Sequence, residues 1–294
     1  MNRLHNYFSR IALFALLLVV YSFCPYDLTW DLPAAKSAKS AKSGSAGVAR
    51  SLSLDMQGPL PDLGFEIVGA GTLMIGATSE QGDHAYDNER PAHNVTISEF
   101  YMGRTEVTQR LWEAVMGSNP SNSKWNLRPV EMVSWNDCQQ FLQRLNNMKS
   151  QLLPQDLKNW VFRLSTEAEW EYAARGGKKS RHYKYAGSNN IDEVAWYDGN
   201  SGHQTHNVKQ KKANELGLYD MSGNVWEWCS DWYGSYPSYG VTNPQGASSG
   251  QYRVLRGGCW DVNARGCRVA SRLSNYAPSN RGYHLGFRLV LAPR

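Results

Sequence analysis

The sequence has few cysteines, no block of one charge, and no apolar run long enough to cross a membrane comfortably. Of its 5 cysteines in 294 residues, Cys24 falls in the N-terminal segment and Cys138 at a helical core position, which leaves room for one disulfide at most. Net charge is only +5, with the basic residues scattered, so neither a nucleic-acid groove nor a polybasic membrane patch is supported. No proline-rich or charged break divides the roughly 235 residues beyond the N-terminal segment, which read as one domain. Gly69-Ala70-Gly71 lacks the third glycine and the helix of a dinucleotide fingerprint. His203-x-x-His206 has no carboxylate or cysteine at ligand spacing and reads as an exposed pair, not a zinc site.

What is present begins with Arg3 and Arg10 ahead of the apolar run Ile11 to Val20. This is the layout of an export signal, and it is shorter than the about 20 residues a spanning helix needs. Residues 1–24 read as a signal peptide or N-terminal membrane anchor, and Phe23 before Cys24 makes a poor lipoprotein box. Residues 25–61, with Ala-Lys-Ser three times in succession, read as a flexible linker, and 62–294 as the domain. The expected location is periplasmic or extracellular, with a membrane tether if the segment stays uncut. The content of 11 Trp, 16 Tyr and 26 Gly suits a loop-rich mixed fold.

Phe65 to Val68 and Thr72 to Ile75 read as strands joined at Gly69-Ala70-Gly71, and His93 to Ile97 alternates as a strand does. Three helices carry start signals. Thr108 caps one through Met116, ended by Gly117; Ser134 caps a second with Cys138, Phe141, Leu142 and Leu145 inward. Thr166 and Glu169 form a capping box for a third, with Trp170, Ala173 and Ala174 as its apolar side and Gly176-Gly177 as its stop.

Leu216 to Tyr233 departs from both helical and strand periodicity: it gathers tryptophans, tyrosines, carboxylates, an Asn and two glycines. Asp220, Glu227 and the Gly223-Asn224 turn offer hard oxygen donors at short range, as calcium requires. A buried aromatic corner would have the same composition.

Leu218-Tyr-Asp-Met-Ser-Gly-Asn-Val-Trp-Glu-Trp228 resembles the signature of the formylglycine-generating enzyme, or sulfatase-modifying factor, family. Phe100 to Gly103, Glu106-Val107-Thr108, Val133-Ser134-Trp135, Arg163 to Glu171, Arg256 to Trp260 and Leu285 to Leu289 follow in the family's order. The resemblance implies an α+β, C-type-lectin-like fold with much irregular structure. It implies calcium held by Asp220 and Glu227 side chains and by Gly223 and Val225 carbonyls. Asp192, Asp198 and Asn200 are donors without a match to the family's other calcium site.

Active members carry two cysteines separated by four residues after the Arg-Gly-Gly segment, binding copper(I) to convert a cysteine of an exported sulfatase to an aldehyde. Here Cys259 and Cys267 are eight apart. They serve as a catalytic or copper pair only if 261–266 folds back; otherwise Cys229 can bridge Cys267 or Cys259 as a disulfide. Ser165 also stands where the family usually has proline. Trp226, Trp260 and His284 are the expected pocket residues, with Glu227, Asp231, Asp261 and His284 as acid-base candidates, while Arg268, Arg272, Arg281 and Arg288 brace the core. The resulting reading is an exported sulfatase-modifying-factor-like protein that binds a peptide or protein segment and can modify it oxidatively. It is not a standard Cys-to-formylglycine converter. The rival is a non-catalytic, calcium-stabilised lectin-like binding module.

Overall fold

The computed structural model describes residues 60–294. The export-signal reading for 1–24 and nearly all of the linker reading for 25–61 lie outside the described residues. The chain runs β1 (Phe65–Val68), β2 (Gly71–Ile75), β3 (His93–Ile97), β4 (Phe100–Gly103), α1 (Gln109–Met116), α2 (Trp135–Leu152), β5 (Trp160–Arg163), α3 (Glu167–Ala174) and the one-turn α4 (Ile191–Val194). There follow β6 (Ala195–Trp196), β7 (Ser222–Gly223), β8 (Trp226–Trp232), β9 (Val241–Thr242), β10 (Arg253–Arg256), β11 (Arg272–Leu273), β12 (Leu285–Gly286) and β13 (Val290–Pro293). Long irregular stretches separate the later strands, so the fold is α+β with low regularity.

The first sheet has the antiparallel order β1-β4-β13-β5, with the last strand inserted between β4 and β5. The apolar stripes of α1 and α2 supply Leu111, Trp112, Phe141 and Leu145 to one core with Phe65, Phe162 and Leu291 from this sheet. Trp112 stacks on Phe141 at 5.2 Å. The second sheet, β11-β10-β8-β12, carries the tryptophan-rich segment. β2, β3 and β9 form a third, and β6 pairs with β7. Thus β1 and β2, adjacent in sequence, belong to different sheets, because the Gly69-Ala70 link turns the chain from one to the other.

The helix starts follow their local chemistry. Thr108 accepts from the Leu111 amide, and Ser134 with Asp137 and Thr166 with Glu169 form reciprocal capping boxes. Ser165, in place of proline, accepts the Ser230 amide at 2.8 Å through its carbonyl and so ties the start of α3 to β8. The one-sided reading of α3 is corrected: all eight of its residues are buried, because the helix lies between the second and third sheets. Its glutamates are matched by arginines. Glu171 receives Arg175 and Arg256, and Glu167 receives Nε and one terminal nitrogen of Arg272 at 2.6 and 2.7 Å.

The polar loop at 83–90 contributes a second buried partner, Glu89, bound by Arg268 at 2.5 and 2.8 Å. Arg268, Arg272 and Arg288 brace buried carboxylates as expected, and Arg281 pairs with Asp137 at the surface. Among the described residues the alternative of a Cys229 disulfide is not formed: Cys138, Cys229, Cys259 and Cys267 are all free and buried. Cys229 instead lies beside Ser165 Oγ, 3.8 Å away. Among the described residues no helix is long and apolar enough to cross a membrane.

Candidate functional site

Strand β8 aligns the tryptophan-rich segment with the Arg-Gly-Gly segment. Leu255 lies opposite Trp228 and Arg256 opposite Glu227 in the β8–β10 ladder. The Gly223 amide donates to the Gly257 carbonyl at 2.8 Å, and the Trp260 amide to the Asn224 carbonyl at 2.9 Å. The chain after β10 turns back under Trp226. Trp226, Asp261, Val262 and Asn263 thereby line a cleft of about 670 Å³, joined by Tyr86, Asp87 and Asp198 from other loops. That is within the range of ligand-binding clefts, about 300–1,000 Å³.

Behind this cleft sits a hydrogen-bonded group. The Cys259 thiol donates to Asp261 Oδ1 at 2.8 Å. Tyr276 Oη lies 2.8 Å from His284 Nε2, and the His284 carbonyl accepts the Trp226 amide. Burial lowers the pKa of His284, and the nearby Asp261 charge opposes this. His284 Nδ1 is sealed without a partner. Trp260 donates through Nε1 to the Tyr283 carbonyl and packs at 5.6 Å on the Tyr283 ring. The expected pocket residues Trp226 and His284 are brought together. Trp260 lies one step outside, lining a neighbouring hollow of about 260 Å³ with Tyr283 and Glu131.

Residues 261–266 do fold back, as a short 3₁₀ turn at Ala264–Cys267 capped by Asn263. A Cβ on Gly258 would stand 2.6 Å from Cys267 Sγ. Cys259 packs in the main core with Trp226 and Trp228, and Cys267 packs with Tyr185 and Val194, while the Cys267 thiol also lies against the Cys259 backbone and within electrostatic range of the Cys259 thiol. Burial raises both pKa values, that of Cys267 to about 12, and Asp261 raises Cys259 further. Without a metal both thiols are therefore held in the protonated form, and a soft copper ion would have to displace those protons to bind them.

Asp220 and Glu227 come together, and the structure adds a residue the spacing did not point to, Glu106. Burial raises the Glu106 pKa well above the usual carboxylate range, and the Asp220 and Glu227 charges raise it further. Asp220 is pushed up to about 6, chiefly by burial. Arg288 is bidentate to Glu227 with both contacts at 2.6 Å, and the Lys209 charge adds a smaller favourable effect at Asp220. Trp170 also donates to Glu227 at 2.7 Å. Asp220 accepts the Lys209 amide at 2.8 Å, and Glu106 Oε1 is sealed with no partner. This deficit of positive charge and the orphaned oxygen fit a bound cation. Among the described residues no group of three or more His, Cys, Asp or Glu is arranged to hold a metal, so backbone carbonyls such as those of Gly223 and Val225 would have to complete the shell. The signal for Glu106 was its place in the Glu-Val-Thr motif.

The remaining candidates are scattered. Asp192 accepts from Tyr197 and Asn200, whereas Asp198 lines the cleft. Asp231 caps α3 by accepting the Glu167 amide at 3.0 Å and lines another cavity. His203 is exposed, but His206 is half-buried and stacked on Trp196 at 3.8 Å.

Short sheets joined by long loops, with a cleft built by β8 and the chain after β10, define a domain of the sulfatase-modifying type. The chain belongs to the family described as Sulfatase-modifying factor enzyme 1-like domain, which it matches over residues 64–293. It is 42% identical to the chaperone protein LppX of Paenibacillus barcinonensis, over 67% of this chain and 81% of that one. It is 38% identical to the formylglycine-generating enzyme of Streptomyces coelicolor, over 54% of this chain and about half, 51%, of that enzyme's length. Among solved structures it is similar to Treponema denticola variable protein 1, with a TM-score of 0.69 and 34% identity over 79% of this chain and 95% of that one. The α+β fold is that of the formylglycine-generating enzymes.

Proposed function

We propose that this is an exported sulfatase-modifying-factor-like protein, periplasmic or extracellular, that binds a peptide or protein segment in the cleft at Trp226. The observation that carries the reading is that Trp226 and residues 261–263 share one 670 Å³ cleft that neither Cys259 nor Cys267 lines. A chaperone and a formylglycine-generating enzyme among the relatives are consistent with a protein as the ligand. Calcium held through Asp220, Glu227 and the Gly223 and Val225 carbonyls would stabilise the base of β8. Its role there is structural.

A second reading, oxidative modification with copper, draws on the fold-back that sets Cys267 against Gly258. Copper-loaded protein incubated with a Cys-containing sulfatase-motif peptide separates the two. The expected outcome is binding that Trp226→Ala weakens about tenfold, the loss of one well-packed aromatic contact, with no aldehyde product by mass spectrometry. Aldehyde formation would establish the oxidase reading, and absence of binding would remove the cleft as the peptide site.

A further inference from the structure

A second cavity, of about 270 Å³, lies away from the Trp226 cleft and shares only Arg272 with it. Its outer wall comes from residues 233–252, a twenty-residue stretch without a single Asp, Glu, Lys, Arg or His. Tyrosine, serine and glycine dominate that stretch, the composition recognition loops use to offer rigid aromatic area with adaptable hydrogen bonding. Tyr236, Tyr239 and Pro244 face the cavity from this loop, with His93 and Trp232 completing the ring. Tyr236 is already covered by the Arg272 guanidinium at 3.9 Å and by His93 at 4.7 Å. Tyr239 is 69% exposed and makes no ring or cation contact among the described residues.

The floor holds one carboxylate with unused capacity. Asp231, only 3% exposed, accepts the Glu167 amide and the Ser230 hydroxyl through Oδ2. Its Oδ1 takes no hydrogen bond from the protein and is not among the sealed atoms, so it is open to the cavity. The other charges there cancel, since Arg272 is bidentate to Glu167. One carboxylate oxygen at the end of an aromatic-walled hollow is the pattern that accepts an organic ammonium group.

We propose that the cavity bounded by Asp231, Trp232 and Tyr239 binds an alkylammonium group, either a lysine side chain of a partner protein or a free amine. Oδ1 of Asp231 would take its N–H, and the open Tyr239 ring would cover its methylene stem. This does not rest on the peptide reading of the Trp226 cleft.

The pH behaviour follows from the surroundings of Asp231. Glu167 and Glu169 face it from α3, Arg272 from β11, Arg253 from β10, and His93 and Tyr236 from the cavity wall, with Cys229 two residues back on β8. Burial and then the Glu167 charge push its carboxyl up to about 7. An ammonium ligand must displace that proton, so affinity should rise about tenfold from pH 6 to pH 8.

The test is calorimetric titration of the full chain with n-butylammonium, with n-butanol as the neutral isostere, and with a blocked lysine peptide. The expected results are binding of butylammonium but not butanol, at least a tenfold loss in Asp231→Asn, and a several-fold loss in Tyr239→Ala, an exposed site whose change leaves folding intact. A lysine peptide at least tenfold tighter than butylammonium assigns the site to a protein partner; equal affinities assign it to a free amine. No heat with either cation, equal binding of butanol, or unchanged affinity in both variants overturns the proposal.

Discussion

Glu106, Asp220 and Glu227 are buried together, and that burial first, with the Glu227 charge adding to it against Arg288 and Lys209, raises the pKa of Asp220 to about 6 from an ordinary 3.8. An acid whose pKa is higher folded than unfolded contributes stability that is full below its unfolded pKa and is lost as pH rises through its folded one. The shift at Asp220 corresponds to on the order of 3 kcal/mol at about 1.4 kcal/mol per unit. With chelator, melting temperature should therefore fall by on the order of 5 °C or more between pH 4 and pH 8. Calcium should restore most of this at pH 8, change little at pH 4, and have no effect in Asp220→Asn. Overlapping calcium and chelator curves at pH 8 would remove the ion from the site. Asp220 and Glu227 were legible because the motif holds them seven residues apart in one segment; Glu106 reaches them from over a hundred residues away, and only folding closes that distance.

At the level of elements, the helix starts show how far local chemistry carries. A capping box involves groups within four residues, so Thr108, Ser134 and Thr166 could be read from the chain alone. Thr166→Ala should cost about 1 kcal/mol, seen as a lowered urea midpoint, with Thr166→Ser close to the parent; an unchanged midpoint in the alanine variant would mean that packing alone sets the start of α3. The environment of α3 was not legible. Its pattern looks one-sided, yet Glu167, Glu169 and Glu171 are all buried, because their arginine partners arrive from β5, β10, β11 and the chain just beyond α3 itself. Pairing of this kind lets a helix with three acids lie between two sheets.

Across the whole molecule, the cysteines decide between rival readings. Each of the four described thiols is buried, and burial raises every one of their pKa values. Native protein should leave Cys138, Cys229, Cys259 and Cys267 unmodified by a thiol reagent, and denaturant without reductant should release all four for alkylation. A Cys229–Cys267 or Cys229–Cys259 linkage in non-reducing peptide maps would restore the disulfide. The sequence left both outcomes open because spacing bounds reach but not pairing: eight residues suffice to bring the Cys267 side chain back to Gly258 and the Cys259 backbone, where it packs with Tyr185 and Val194 and forms no disulfide.

What the chain determined by itself was what depends on neighbouring residues or on a motif in one segment: the caps, the strand at 93–97, the tryptophan-rich stretch and the α+β family fold. The tertiary structure alone decided which glutamate meets which arginine, that Trp226 and Asp261 share a wall, and that Cys259 and Cys267 are both buried as free thiols. These depend on contacts between residues far apart in sequence, where burial sets the cost of each charge and the only available partner is whatever the fold brings alongside.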